Sequence, residues 1–247
     1  LPETRHFLQM YYAPVNTTIC LVGDVGFEQA VATVGEYFGA IRGGTPVPPV
    51  AEVEPPQKGE KRIGIRFEAE PTLAIAFHKP TLPSRADYVF DLIDMLLSSG
   101  PTSRLYRSLV VEQQLAVSVG TYGAPGSRYP NLFVISAAPR FPHTVEEVEN
   151  AIYAELEKLA TVPVAAAEID RVRKRLRTDK IRSLKSNQGL AGMLAYYQTV
   201  AGDWRYLIEY DQNVADITAD EIMQIARKYF SQKNRTVAVL SKGEEIL

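Results

Sequence analysis

Residues 98–122, SSGPTSRLYRSLVVEQQLAVSVGTY, restrict this chain more than any other stretch. Ser98-Ser99-Gly100-Pro101 ends whatever precedes it, because glycine followed by proline is poorly tolerated inside a helix. Thr102 or Ser103 can cap a new helix. Leu105, Leu109 and Glu112 then share one face of it, with Arg104 and Arg107 turned outward. From Leu115 the period changes to two: Leu115, Val117, Val119 and Thr121 alternate with Ala116, Ser118 and Gly120, as in a half-buried strand. The stretch reads as a helix end, a glycine-containing break, a helix and a strand.

Helix and strand also alternate on both sides of it. Residues 4–12 carry the apolar face of a helix end (Phe7, Leu8, Tyr11, Tyr12), and Ala13-Pro14-Val15-Asn16 turns the chain. Residues 17–22 are β-branched and apolar and predict a strand. Gly23 to Gly26 stops it, and 27–41 predicts an amphipathic helix. Further strands are expected over 62–67, 72–77, 131–138 and 235–240. Further helices are expected over 84–97, 144–159, 165–184, 187–200, 204–214 and 218–230, with Thr144 as a cap and Glu146 and Glu147 in its first turn.

Two features divide the chain. Residues 43–60 hold Pro46, Pro48, Pro49, Pro55 and Pro56 and few large apolar residues, the composition of an extended linker. A repeat also spans the whole length. When the N-terminus is laid on the C-terminus, Glu3 falls on Glu221, Tyr11 on Tyr229, Tyr12 on Phe230, Asn16 on Asn234 and Thr18 on Thr236. Ile19, Cys20 and Leu21 fall on Val237, Ala238 and Val239. Both copies read helix, turn, strand, as expected if the chain carries the tail of one module and all of a second.

The segment S-R-L-Y-x-x-L at 103–109, leading into L-A-x-S-V at 115–119, resembles the insulinase-like zinc peptidases. That family includes the mitochondrial processing peptidases and many bacterial two-domain proteases. Y-Y-A-P-V-N-T-T-I-C-L-V-G-D-V at 11–25 is similar to the segment closing the family's first module, with Val15 in place of an asparagine. F-H-K-P-T-L at 77–82 resembles the second strand of its non-catalytic module. The resemblance covers essentially the whole chain. It implies an α+β fold: a mostly antiparallel sheet covered by helices on one face, preceded by the tail of a similar module. The expected boundaries are 1–42 for the tail, 43–60 for the linker and 61–247 for the second, non-catalytic module.

The resemblance also implies a function. Family members bind zinc through H-x-x-E-H on a helix and a distant glutamate, a geometry that needs two imidazoles one helical turn apart. This chain has only His6, His78 and His143, widely separated. No metal ligand and no cofactor are therefore expected within it, and zinc is expected in an upstream half. The chain opens on Leu1 rather than Met, so residues are expected to precede it. The implied role is the C-terminal half of a zinc metalloendopeptidase, closing a peptide-holding chamber against the zinc-bearing half or a partner subunit. The alternative is a non-enzymatic scaffold that only pairs with an active partner. In some family pairs an arginine and a tyrosine of the non-catalytic module reach the substrate backbone. The residues near the corresponding strand are Arg128, Tyr129 and Arg140, which alternatively only line a loop. The loop Ser98-Ser99-Gly100-Pro101 matches one that is usually richer in glycine in the family.

Other signals are weaker. A net charge of −2 gives no nucleic-acid footprint, and no apolar run is long enough to span a membrane. Arg171 to Arg177 is basic, but Ile169, Val172 and Leu176 recur at helical spacing within it, which marks an exposed helix with one buried stripe. Glu146, Glu147, Glu149, Glu155 and Glu157 read as solvated helix faces. The lone Cys20 excludes an internal disulfide and reads as a small core residue. The expected partners are a peptide and a zinc-bearing module, in a homo- or hetero-oligomer. The compartment stays open between bacterial cytoplasm and periplasm.

Overall fold

The apolar runs at 72–77 and 131–138 become the middle of a sheet because residues on both strands can bury every second side chain under helices. A computed structural model describes residues 1–52 and 54–243. The chain divides into two compact units, Leu1–Pro55 with Thr178–Ile208, and Pro56–Arg177 with the chain from Glu209 onward. The elements are α1 (Pro2–Tyr11), α2 (Phe27–Phe38), β1 (Lys61–Phe67), β2 (Thr72–Lys79), α3 (Arg85–Ser98), β3 (Ala116–Ala124), β4 (Asn131–Pro139), α4 (Val145–Thr161), α5 (Ala166–Ser183), α6 (Asn187–Val200), α7 (Tyr206–Ala215), α8 (Ala219–Tyr229) and β5 (Arg235–Lys242).

In the second unit the five strands run in the order β1-β5-β2-β4-β3. The β1–β5 pair is parallel and the other three pairs are antiparallel. The fold is α+β with a mostly antiparallel sheet. Leu73, Ile75, Phe77, Phe133, Ile135 and Val237 are buried against α3, α4 and α8. Phe90 of α3 sits in an aromatic cluster with Phe133, Tyr229 and Phe230, ring centroids 5.4–5.9 Å apart. Thr144 and Thr218 close capping boxes with Glu147 and Glu221, which satisfies amide donors left free at the starts of α4 and α8.

The first unit holds α1, a 3₁₀ turn at Pro14–Asn16, α2 and α6. Ser186 caps α6 by accepting from the Gly189 amide at 3.0 Å. The Val15 amide donates to the Gly43 carbonyl at 2.8 Å. This brings Ala13 so near Gly44 that a Cβ there would meet the Ala13 methyl at 2.5 Å, and Gly44 also adopts φ +84°. Only glycine fits that approach.

The structure departs from the sequence reading at four places. Residues 17–22 belong to no strand: among the described residues no backbone forms a ladder with them. Tyr106–Glu112 is a π-helical segment, closed by the Gln113 amide on the Ser108 carbonyl at 2.9 Å. Leu105 and Leu109 are fully buried as expected. Arg104, however, turns inward to Glu168, and the Ser103 hydroxyl donates back to the Gly100 carbonyl instead of capping. In β3 a register shift between Ala116 and Ser118 reverses the alternation, so Ala116 is buried and Val117 is 60% exposed. Finally, Glu149 and Glu155 are buried rather than solvated, because each has a basic partner, Arg62 and Lys158 respectively.

The described part of 43–59 forms no helix or strand and is largely exposed. Brief proteolysis is expected to cut there first and to leave a resistant fragment beginning near residues 58–62. Mass mapping of the early fragments checks this, and first cuts within 84–160 would move the boundary.

Candidate functional site

The two faces of the second unit's sheet differ sharply. One is buried under helices. On the other, small residues occupy the centre: Ala238, Ala74, Ser136 and Gly120 stand side by side across β5, β2, β4 and β3. The next row is Thr236, Ala76, Val134 and Tyr122. Ile63, Ile65 and Phe67 of edge strand β1 share this face with Ala238 and Leu240, and they are 51, 52 and 65% exposed. Tyr122, 51% exposed, rises at the opposite edge. The result is a shallow apolar floor with larger side chains at both margins. Its two central rows carry the hydroxyls of Ser136, Thr236 and Tyr122 but no carboxylate, imidazole or thiol. It can bind an extended chain by shape and apolar contact, since a floor of alanine, serine and glycine lets another backbone approach closely.

The predicted site residues do not all gather there. Arg128 and Tyr129 lie together in the β3–β4 turn, with the guanidinium 5.9 Å from the ring centroid, and both are exposed. Arg140 follows the far end of β4, so the length of a nine-residue strand, roughly 30 Å, separates it from that pair. Its backbone amide donates to the Leu115 carbonyl at 2.8 Å, and its Nε is buried without a hydrogen-bond partner. In the loop 98–101, Gly100 takes φ +90°. Ser98 is tied into the interior through Thr121, whose hydroxyl also reaches Asp94.

That contact belongs to a polar stripe that sequence reasoning missed. Asp87, Asp91, Asp94 and Ser98 recur at helical spacing along α3, beside its apolar face. Lys79 of β2 pairs with Asp87 and lies 5.4 Å from the centre of the Phe90 ring. The Tyr210 hydroxyl donates to Asp91 at 2.8 Å. Burial, reinforced by the Asp87 charge, pushes the Asp91 carboxyl up to about 7. Burial also raises Asp94, against the pull of the Thr121 hydroxyl and Lys79. The spacing of the three aspartates was legible, but it reads equally as a solvated face.

Two ion clusters flank the helix layer. Arg62 binds Glu149 through both terminal nitrogens, and Tyr153 donates to the same carboxylate at 2.6 Å. Burial pushes Glu149 up, but Arg62 and Tyr153 outweigh it and hold the carboxyl low. Arg104 grips Glu168 with two bonds of 2.9 and 2.7 Å and likewise keeps that carboxyl low. Both are closed, mutually satisfied sets.

Among the described residues no three His, Cys, Asp or Glu side chains come together as metal ligands, so these residues do not fit a zinc ion. None of the described helices is long and apolar enough to cross a membrane. The family profile described as the peptidase M16 inactive domain matches residues 2–176. The chain belongs to this family. The M16 chain is 24% identical over 247 residues to the zinc protease PqqE of Helicobacter pylori, covering 97% of itself and 54% of that protein. It thus spans about half the length of the curated relatives it matches. Its fold is similar to the crystal structure of a protease from Helicobacter pylori, with a TM-score of 0.91 at 24% identity over 98% of this chain and 59% of that one. It is also similar to a peptidase M16 inactive domain from Pseudomonas fluorescens, with a TM-score of 0.81 at 18% identity over 99 and 57% of the two chains. At these identities the structural likenesses establish the fold alone.

Proposed function

We propose that this M16 chain is the non-catalytic, C-terminal half of an insulinase-like zinc metalloendopeptidase, and that its uncovered sheet face forms one wall of the peptide-holding chamber. The observation that carries this reading is the half-buried floor of small residues Ala238, Ala74, Ser136 and Gly120, bounded by the exposed Ile63, Ile65 and Phe67. An apolar surface of this kind on a folded unit marks a place where something binds. Peptide hydrolysis needs a polarised carbonyl and an activated water. The described residues gather no set of metal ligands, and this reading assigns the zinc to the other half. The contribution of this half is to hold an extended peptide and exclude water. Arg128 and Tyr129, exposed at one end of β3 and β4, are the donors placed to reach a peptide backbone there.

The test mixes the chain with the zinc-bearing half of the Helicobacter pylori relative and follows cleavage of unstructured peptides. Turnover is expected only in the mixture, and the chain with added zinc alone should show none. Ala76→Arg, which fills the floor without touching the core, should lower kcat/KM by about tenfold or more, mainly through KM. Turnover by the isolated chain, or a mixture indifferent to this substitution, overturns the proposal.

A further inference from the structure

We propose that the cleft between the π-helical segment Tyr106–Glu112, the end of α4 and the start of α5 binds a phosphate monoester with a hydroxylated body, and that Arg107, Arg171 and Ser108 hold its phosphate. The cleft lies among the helices of the second unit, on the other side of the sheet from the open face. The inference therefore stands apart from the half-enzyme reading.

The π-helical winding builds one wall of the cleft. In an α-helix, side chains five positions apart point about 140° away from each other. Here they meet. The Gln113 backbone amide donates to the Ser108 carbonyl at 2.9 Å, and its side chain donates to the Ser108 hydroxyl at 2.7 Å. Arg107 likewise lies 3.0 Å from Glu112. The wider turn thus brings these four residues to the cleft, where α4 adds Glu155 and Lys158 and α5 adds Glu168 and Arg171. Gln114 follows at φ +54°. A π turn beside a left-handed residue other than glycine is costly, and such features gather at functional sites.

The charges in the cleft do not cancel. Arg104 takes both oxygens of Glu168, and Lys158 takes Glu155 at 2.8 Å. Arg171 comes only to 4.0 Å from Glu168, beyond a hydrogen bond. Arg107 pairs with Glu112, but both side chains are more than half exposed, so that pair is weak. The bonds of Arg104 hold the Glu168 carboxyl low, and the charges of Arg171 and Arg107 add to the effect, so both guanidiniums stand near one point. Ser108 is 7% exposed, and its hydroxyl accepts from Gln113 but donates to no acceptor among the described residues. Two guanidiniums and a buried hydroxyl thus line one space with donors to spare. A tetrahedral dianion, with oxygens facing several ways, uses such donors better than a planar carboxylate does. The cleft, at about 680 Å³, is far larger than a phosphate and falls within the range of small-molecule sites. Thr102, Gln113 and Glu112 leave the rest of its lining mostly polar, which suits a hydroxylated body rather than an apolar one.

Isothermal titration of the full chain with ribose 5-phosphate tests the inference. One saturable site with a Kd of about 100 μM is expected, with inorganic phosphate about tenfold weaker and ribose not bound. Arg107→Gln and Arg171→Gln should each weaken binding by about tenfold or more, through the loss of charge-assisted hydrogen bonds. Both arginines are more than half exposed, so the thermal midpoints of the unliganded variants should match wild type. Lys233→Gln removes the same charge from an exposed position outside the cleft and should change the Kd by no more than about twofold. Binding indifferent to both arginine changes overturns the inference, as does an equal loss from Lys233→Gln, which would mark diffuse attraction. So does equal affinity for inorganic phosphate or for ribose, or the lack of any saturable binding up to about 10 mM.

Discussion

Phe90→Ala is expected to destabilise the second unit by about 3–5 kcal/mol, the range for truncating a large buried aromatic. Phe90 is 2% exposed and packs against Phe133, Tyr229 and Phe230, so it joins α3 to β4 and to the end of α8. The surrounding rings come from a strand and a helix that are themselves fixed by ladder and capping bonds, so little relaxation can fill the space. Urea titration should show the midpoint falling with an unchanged slope. Phe141→Ala is the control: that ring is 94% exposed, and a shift beyond about 0.5 kcal/mol there is not expected. Equal effects from both substitutions would mean that α3 does not carry the core.

The second large effect concerns pH. The Asp91 carboxyl is raised to about 7 by burial and by Asp87, while Tyr210 and Lys79 oppose the shift. In the unfolded chain it returns to the ordinary carboxyl range near 4. Between those values the folded state holds the extra proton, so stability falls as pH rises through the window. Part of Asp91 still meets solvent, which limits the loss to an order of 2–4 kcal/mol. Asp91→Asn can still accept from Tyr210 and carries no charge. It should flatten this limb and leave the variant more stable than wild type at pH 8, with little difference near pH 4. The carboxyls of Glu149, Glu168 and Glu221 are held low by Arg62, Arg104 and Arg85, so their contribution is instead lost as pH falls. The two limbs together predict a stability maximum on the mildly acid side of neutrality. Thermal midpoints from pH 4 to 8 check it, and a wild-type curve that rises steadily to pH 8 would remove Asp91 from the account.

Most of the helices and strands were legible because their signals are local. The apolar run of 72–77 and the cap at Thr144, with Glu146 and Glu147 behind it, depend on residues a few positions apart. What stayed hidden depended on a distant partner. Arg104 was read as outward because Glu168, which draws it in, lies on another helix. Glu149 and Glu155 were read as solvated because a carboxylate's burial is decided by whether a cation meets it. The reversal at Ala116 came from a register shift, which no period within one strand can reveal. The open face was partly visible: Ile63, Ile65 and Phe67 all fall on one parity, and Ala74, Ala76, Ser136 and Ala138 are all small. That they line up depends on strand order, and strand order is not written in any one segment.

That order has a consequence for how the protein is made. β1 and β2 are near neighbours in sequence, yet β5 stands between them in the sheet. Lys61 meets Thr236 and Phe77 meets Arg235, so the rim strand and the middle of the sheet are joined only by the final stretch of chain. During synthesis β2, β3 and β4 can pair and collect α3 and α4, but β1 has no partner until β5 leaves the ribosome. Until then an apolar strand and an unfilled edge of β2 are both open to solvent and to other nascent chains. Contacts spanning so much sequence close slowly. The unit thus completes its folding in a single late step, and a chain stopped short of residue 235 is expected to be a substrate for chaperones rather than a smaller domain.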